Sequence, residues 1–335
     1  MKELNFAVIG CGHIGKRHIK IIEETVGANL KAICDIKEEI LFDLAEDIPD
    51  VVTYTSFDHL LDHEELDVIC ICTPHALHAP MSIKAAEAGH HILVEKPMAL
   101  DSEQSKKMIE VAKENNVRLF VVKQNRYNTP ILHVNKAIKE GKLGKLFMVQ
   151  CNVMWNRHQE YYNQSPWRGK KASEGGALQT QVSHFLDLLV WWFGNITEAK
   201  TIMDTLNHDI EIEDCGVSAL RFENGAIGSL LWTTCVYNVN YEGSITIIGE
   251  KGTIKIGGKY LNELEFWDVQ SYPVPTDLEF DDKPNEYGTY QGSSSNHDKL
   301  IVELIDHITD SRKGVVEGDE GLKSIQAIET IYQNA

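Results

Sequence analysis

The first thirty-five residues constrain the fold more than any other stretch. Leu4-Asn5-Phe6-Ala7-Val8-Ile9 reads as a short apolar strand. Gly10-Cys11-Gly12-His13-Ile14-Gly15 follows at once with G-x-G-x-x-G spacing, residues 16–25 have a helical pattern, and Leu30–Cys34 reads as a second strand ending in Asp35. Gly10 permits a tight turn, Gly12 lets the backbone approach a pyrophosphate, and Gly15 lets the helix pack close to its strand. The helix N-terminus offers unpaired N–H groups to the phosphates. A carboxylate for the ribose hydroxyls belongs about 20 residues further on, where Asp35 stands. Glycines alone cluster in turns for many reasons. Strand, glycines, helix, strand and terminal acid in one run predict a dinucleotide site, with Gly10, Gly12, His13, Ile14, Gly15 and Asp35 against the cofactor. Asp35 would repel a 2′-phosphate and no arginine follows it closely, so the expected cofactor is NAD rather than NADP.

Helix and strand then alternate to about residue 123. Val68-Ile69-Cys70-Ile71-Cys72 is a continuous apolar run, as expected of a parallel strand covered on both faces. From Lys145 the texture changes: a strand at Phe147–Met154, a long apolar helix at Gly176–Phe193, then several strands without intervening helices. At 335 residues the chain is long for one core. The expected fold class is α/β, an N-terminal Rossmann doubly wound parallel sheet plus a C-terminal α+β domain with an open, largely antiparallel sheet. The expected domains are 1–123 (NAD-binding), 124–312 (substrate and oligomerisation) and 313–335, a C-terminal helix packing back on the first domain.

A formal net charge of −18 argues against a nucleic-acid partner or an anionic membrane surface. No apolar run approaches the roughly 20 residues of a membrane span, Leu186–Phe193 being the longest, and no basic-then-apolar leader is legible. The seven cysteines are odd in number and mostly sit in strand-like runs, so they read as small buried hydrophobes in a reducing cytoplasm, with no metal expected. An open sheet predicts a homo-oligomer, dimer or tetramer, formed through the C-terminal domain.

Several stretches carry chemistry. Cys72-Thr73-Pro74-His75, with His78 nearby, follows a strand's carboxyl end, where doubly wound sheets bind ligands; it reads equally as a surface turn. Val94-Glu95-Lys96-Pro97 closes the next strand, where an ammonium could orient a substrate hydroxyl, although a charged pair there is usually a solvated turn. Gly175-Gly176 opens the helix of His184 and Asp187, and a lone histidine on an apolar helix is more often core than catalyst. Trp155–His158 and Ser165–Lys171 gather Arg157, Arg168, Lys170 and Lys171 among tryptophans, with Tyr161 and Tyr162 between them. This is either a solvated basic loop or a set of arginines for phosphate or carboxylate.

Together, Gly10-Cys11-Gly12-His13-Ile14-Gly15, Cys72-Thr73-Pro74-His75, Glu95-Lys96-Pro97 and Gly175-Gly176 followed by His184–Asp187 resemble the glucose–fructose oxidoreductase/inositol dehydrogenase (Gfo/Idh/MocA) family, over nearly the whole chain. Lys123–Asn128, Gln159–Tyr162, Trp167-Arg168-Gly169 and Gly175–Leu178 look like the bacterial UDP-N-acetylglucosaminuronate 3-dehydrogenases of surface-polysaccharide synthesis. The resemblance implies that Lys96 and His184 are catalytic, and that Thr73, Pro74, His75, His78, Glu95, Lys96, Gln124, Trp167 and Arg168 also line the cofactor. It further implies that Lys96, Asn125, Arg157, Tyr161, Thr180, His184 and His297 meet a nucleotide-sugar substrate. Many relatives carry an aspartate four residues before the histidine, where Thr180 stands. A carboxylate would raise and orient the histidine and threonine cannot, which speaks against inositol-type and simple-sugar chemistry. The rival readings are another sugar or cyclitol dehydrogenase, a sugar-sensing regulator that binds the dinucleotide without turnover, and a glycosidase that retains its cofactor.

Overall fold

A computed structural model of the chain describes residues 3–62, 65–276, 284–286, 291–310 and 314–335, with backbone alone at 284–286 and 291–294. It forms two compact units, Met1–Val122 with His297–Leu322, and Lys123–Asn296 with Lys323–Ala335.

The first unit is built on six parallel strands: β1 (Leu4–Ile9), β2 (Ala28–Cys34), β3 (Val52–Tyr54), β4 (Val68–Ile71), β5 (His91–Val94) and β6 (Leu119–Val121). Helices α1 (His13–Glu24), α2 (Glu38–Asp47), α3 (Phe57–Leu61), α4 (His78–Glu87) and α5 (Ser102–Glu114) alternate with them. The strand order is β3-β2-β1-β4-β5-β6, so connections leave β1 in opposite directions and a crevice opens at the carboxyl ends of β1 and β4. Every residue of β4 and β6 is buried, which is why both read as unbroken apolar runs. Helix starts are marked locally: the Asp101 carboxylate accepts from Gln104 N at 2.7 Å and caps α5.

The second unit carries α6 (Thr129–Lys139), β7 (Leu146–Met154), α7 (Gln159–Asn163), α8 (Ser183–Phe193) and strands β8 (Ile196–Asp204), β9 (Cys215–Phe222), β10 (Ile227–Thr233), β11 (Glu242–Gly249), β12 (Gly252–Gly257) and β13 (Glu263–Val269). The seven strands run β13-β12-β11-β7-β10-β9-β8, all neighbours antiparallel except β7 and β10. Alternation puts Val149, Cys151 and Val153 of β7 in the core, where α8 lies with every residue but Trp191 buried. The other face is apolar and exposed: Ile248, Met148 and Ile227 line up across three strands, and Ile202 (78% exposed) stands opposite Val217. The single helix expected over Gly176–Phe193 is in two parts, a π-helical turn at Leu178–Val182 followed by α8.

Two C-terminal helices follow, α9 (His297–Asp310) and α10 (Gly318–Tyr332). Expected with the second domain, α9 belongs to the first unit: His297 is fully buried with its ring 5.3 Å from that of His18, and Ile305 packs at Gly27. The expected boundary at 312/313 lies outside the described residues. Gly318 and Gly321 of α10 pack on Leu119 and Val121 in the first unit, while Ala327, Ile328 and Ile331 belong to the core of the second. Among the described residues, no helix is long and apolar enough to cross a membrane.

One buried ion cluster ties the second unit together. Arg126 Nε and Nη2 donate to the two Asp187 oxygens at 2.7 and 2.9 Å, Lys123 Nζ lies 3.3 Å from Oδ1, and Ser324 of α10 donates to the same oxygen at 3.1 Å. Burial opposes the charge of Asp187, but Arg126 and Lys123 outweigh it and hold the carboxyl well below its usual range. Asp187→Asn removes the carboxylate charge that both buried cations face and should cost about 3–5 kcal/mol at neutral pH, measured by urea unfolding. A depressed folded-state pKa contributes stability that is complete above the unfolded value near 4 and is lost as pH falls below it. The gap between wild type and variant should therefore close in acid. An unchanged gap from pH 7 to pH 3 would remove Asp187 from this role.

Candidate active site

The dinucleotide motif folds as its glycines require. Gly10 has φ +87°, and a Cβ there would meet the Cys72 carbonyl oxygen at 2.8 Å; at Gly15 a Cβ would meet the Gly10 carbonyl oxygen at 1.9 Å. Gly12 is different. A Cβ there meets nothing within 4 Å, so its glycine serves open space at the N-terminus of α1, where no side chain caps the helix. That uncapped end and the open ground above Gly12 fit a pyrophosphate. Asp35 Oδ2 accepts from Cys11 N at 2.8 Å and Oδ1 from Lys37 N at 2.9 Å, which fixes the carboxylate at the end of β2 and leaves lone pairs for a ribose diol. The Thr73 hydroxyl is buried and hydrogen-bonds to no described residue, and its methyl lies beside Gly10, a polar atom suited to a bound cofactor.

The turns after β4 and β5 are stapled by one residue. His78, fully buried, sets one ring nitrogen 2.8 Å from the Thr73 carbonyl oxygen and the other 2.7 Å from that of Pro97. Burial lowers its pKa. Glu95, at the end of β5, accepts from His18 Nε2 at 2.9 Å, and His297 Nε2 faces the same oxygen at 3.5 Å. Burial works against the Glu95 charge, yet His18 and His297 hold its carboxyl well below the ordinary range. Its other oxygen accepts the backbone N–H of Lys96 at 3.1 Å, so the lysine stands half-buried on a backbone that the acid pins. The first unit thus brings Gly10–Gly15, Asp35, Thr73, Pro74, His75, His78, Glu95 and Lys96 to the carboxyl edge of one sheet, and His297 joins them at Glu95.

In the second unit the loop that read either as solvated or as anion-binding is a stack. Arg157 is 4% exposed, with its guanidinium 5.3 Å from the Trp155 and Tyr161 ring centres. Arg168 lies over Tyr161 at 4.1 Å, donates to the Tyr161 carbonyl oxygen at 3.0 Å, and sits 5.7 Å from the Trp167 ring. Lys170 and Lys171 remain exposed and do not join it. Gln181 of the π turn donates to the Tyr161 hydroxyl at 3.4 Å. The Asn125 amide is buried beside Gln124, and neither of its side-chain atoms hydrogen-bonds to a described residue. His184 is buried in the first turn of α8, directly after the π turn that holds Thr180; such turns recur at functional sites.

Two acids of this unit escape a reading of the sequence. Glu174 is fully buried; Oε1 accepts from the Thr180 hydroxyl at 3.0 Å and Oε2 from the Gly169 N–H. A carboxylate therefore does stand beside the position four residues before His184, delivered through space. Burial pushes the Glu213 carboxyl up to about 7, although the Tyr332 hydroxyl donates to it at 2.8 Å and Leu178 N at 3.1 Å. A Cβ at Gly176 would run into both Tyr332 and Glu213, which is the close approach the paired glycines serve. Glu174 directly precedes that pair, a weak signal with no periodicity behind it.

Residues 4–123 match the model of an oxidoreductase family with an NAD-binding Rossmann fold, and residues 131–255 match the GFO/IDH/MocA C-terminal domain. The whole chain is similar to the WlbA dehydrogenase of Bordetella pertussis, solved in complex with NADH and UDP-GlcNAcA, at 37% identity, covering 100% of this chain and 97% of that one, with a TM-score of 0.90. The WlbA dehydrogenase of Chromobacterium violaceum, solved with the same two ligands, is 34% identical over 100% and 94% of the chains, TM-score 0.91. Levoglucosan dehydrogenase of Pseudarthrobacter phenanthrenivorans is 25% identical over 297 residues, 79% of this chain and 76% of that protein. The cradle at Gly10–Gly15, the two family matches and the two full-length likenesses agree, and the chain belongs to the Gfo/Idh/MocA family as an NAD-dependent oxidoreductase.

Proposed function

We propose that the enzyme oxidises the C3 hydroxyl of a UDP-linked N-acetylated sugar acid, of the UDP-N-acetylglucosaminuronate type, to the 3-keto sugar. The observation that carries this reading is the end-to-end likeness, at 37% identity, to a dehydrogenase solved with NADH and UDP-GlcNAcA. NAD, when bound, supplies the hydride acceptor. By the family resemblance His184 and Lys96 are the catalytic pair, one taking the hydroxyl proton and the other hydrogen-bonding to the substrate, with the Lys96 backbone held by Glu95. The Arg157–Tyr161–Arg168 stack gives an acidic chain a local positive field for phosphate and carboxylate, and the buried Asn125 amide serves the sugar's polar groups. By the same resemblance Gln124 and Trp167 are assigned to cofactor binding.

We also infer that a second copy of the chain covers the apolar rows on the open face of the second sheet, giving a homo-oligomer of cytoplasmic enzymes in surface-polysaccharide synthesis. A second reading, an uncharged sugar as substrate, draws support from the levoglucosan dehydrogenase relative. The two separate in a substrate panel followed at the NADH absorbance. Turnover of the UDP-linked acid far above UDP-N-acetylglucosamine and free neutral sugars supports the first; equal use of a neutral sugar supports the second.

Replacing Lys96 by Met or His184 by Ala should lower kcat by roughly 10²-fold or more, with NAD affinity little changed. Because the pair acts as a unit, the double variant should be little worse than the poorer single one. Near wild-type turnover in either variant removes that residue from the mechanism. Arg157→Ala should raise KM for the acid by roughly ten- to a hundredfold, the loss of a charged hydrogen bond worth about 1.5–3 kcal/mol. UDP-N-acetylglucosamine should feel it much less. An equal rise for the acid and the neutral sugar nucleotide makes Arg157 a packing residue only.

A further inference from the structure

Behind the arginine stack lies a second cluster of chemically capable side chains that neither cofactor nor substrate accounts for. His208 and Asp214 come from the loop between β8 and β9, Cys215 opens β9, and Cys235 lies just past β10. Strand pairing brings them together: Cys215 stands opposite Thr233, so Cys235 follows two residues beyond that pair. Asp214 is fully buried and accepts the backbone N–H groups of Leu206, Asn207 and His208 at 2.8, 2.9 and 3.0 Å, which closes the loop around its carboxylate.

His208 is decisive. Its Nε2 lies 2.7 Å from the Arg157 carbonyl oxygen, which can only accept, so Nε2 carries the hydrogen. In the neutral ring Nδ1 is then a lone pair, yet it faces Asp214 Oδ2 at 3.0 Å. Two acceptors at that distance need a cation between them, either a proton or a metal ion. A proton explains this contact alone. It leaves unexplained why a thiol stands beside it, Cys235 Sγ at 3.9 Å from His208 Nδ1, with Cys215 Sγ a further 3.6 Å from Cys235 Sγ and paired with the Thr233 hydroxyl. The donor atoms of His208, Asp214 and Cys235 all lie within 4.8 Å of one another. Tetrahedral zinc bonds would space nitrogen from sulfur by roughly 3.6 Å.

We propose that His208, Asp214 and Cys235 form a structural site for a thiophilic divalent cation, zinc by its donor chemistry. A sulfur, an imidazole and a carboxylate select zinc over magnesium or calcium, and a backbone carbonyl on the second ring nitrogen is how metal-bound histidines are oriented. Both cysteines are half-buried, so the ion has a route in. No C-x-x-C spacing marks the site, because its donors meet only through the β9–β10 pairing. Its consequence is mechanical: His208 holds the carbonyl of Arg157 and packs 5.1 Å from the Tyr162 ring, so the ion would brace the segment that carries the arginine stack.

The full chain, purified under reducing conditions without chelator and exchanged against zinc, is assayed for bound metal by mass spectrometry. In parallel, cobalt(II) is titrated in and read by absorbance. One equivalent of zinc per chain is expected, with thiolate-to-cobalt charge-transfer bands that vanish in Cys235→Ala, and a chelator should lower the Tm of the wild type but not of that variant. Asp214→Asn risks losing the loop itself, so Cys235→Ala, whose thiol makes only weak contacts, is the primary variant. The proposal is overturned if reduced protein retains no zinc and gives no charge-transfer band, if Cys235→Ala binds metal as the wild type does, or if the two cysteines prove to form a disulfide that on reduction gives free thiols and no metal binding.

Discussion

A buried carboxylate between two buried cations is the constraint on which the chemical half of the second unit depends. Arg126 and Lys123 keep Asp187 charged at its depth, and its carboxylate in turn pairs with both buried cations. The same three residues tie the segment just after the first unit's last strand to α8, and through Ser324 to the C-terminal helix. Arg126 also lies over the Trp191 ring at 4.4 Å, so its apolar surface is packed as well as its charge paired. His184 sits one turn before Asp187, and its position along α8 is set by this cluster on one side and the π turn on the other.

The first unit applies the same logic to a different group. Glu95 keeps its charge in the interior because His18 and His297 face it, and it passes that order to Lys96 through a backbone N–H. The partner histidines come from residue 18 and residue 297, so the edge of the sheet that holds the lysine depends on a helix from the far end of the chain. An overall charge of −18 would oppose a nucleotide-linked acid, and two arginines stacked on one tyrosine concentrate positive charge at one place without altering the sum.

What was legible in the sequence was what is local. The glycine spacing from Gly10 to Gly15, the apolar run of β4 and the acid at Asp35 each report a nearby backbone requirement, and the first sheet follows from them. The alternating strands of the second domain were legible for the same reason, through a period of two. The rest depends on long-range pairing. The placement of α9 with the first sheet follows from His297 meeting Glu95, some two hundred positions away in the chain. Thr180 read as the loss of a carboxylate, whereas Glu174 returns one through space. The π turn left no mark that a reading of the sequence could separate from the helix after it, and the cysteines that read as inert hydrophobes include Cys235, which strand pairing sets beside His208.

The central claim is removal of hydride from C3 of a nucleotide-linked sugar acid. The most direct measurement supplies UDP-N-acetylglucosaminuronate carrying deuterium at C3, with unlabelled NAD, and follows the label by mass spectrometry. The account predicts that the deuterium appears in the reduced nicotinamide, that the sugar product is two hydrogens lighter and carbonyl-bearing at C3, and that turnover slows with the label. Deuterium retained in the sugar while NAD is reduced, or no reduction of NAD by this substrate at all, contradicts it.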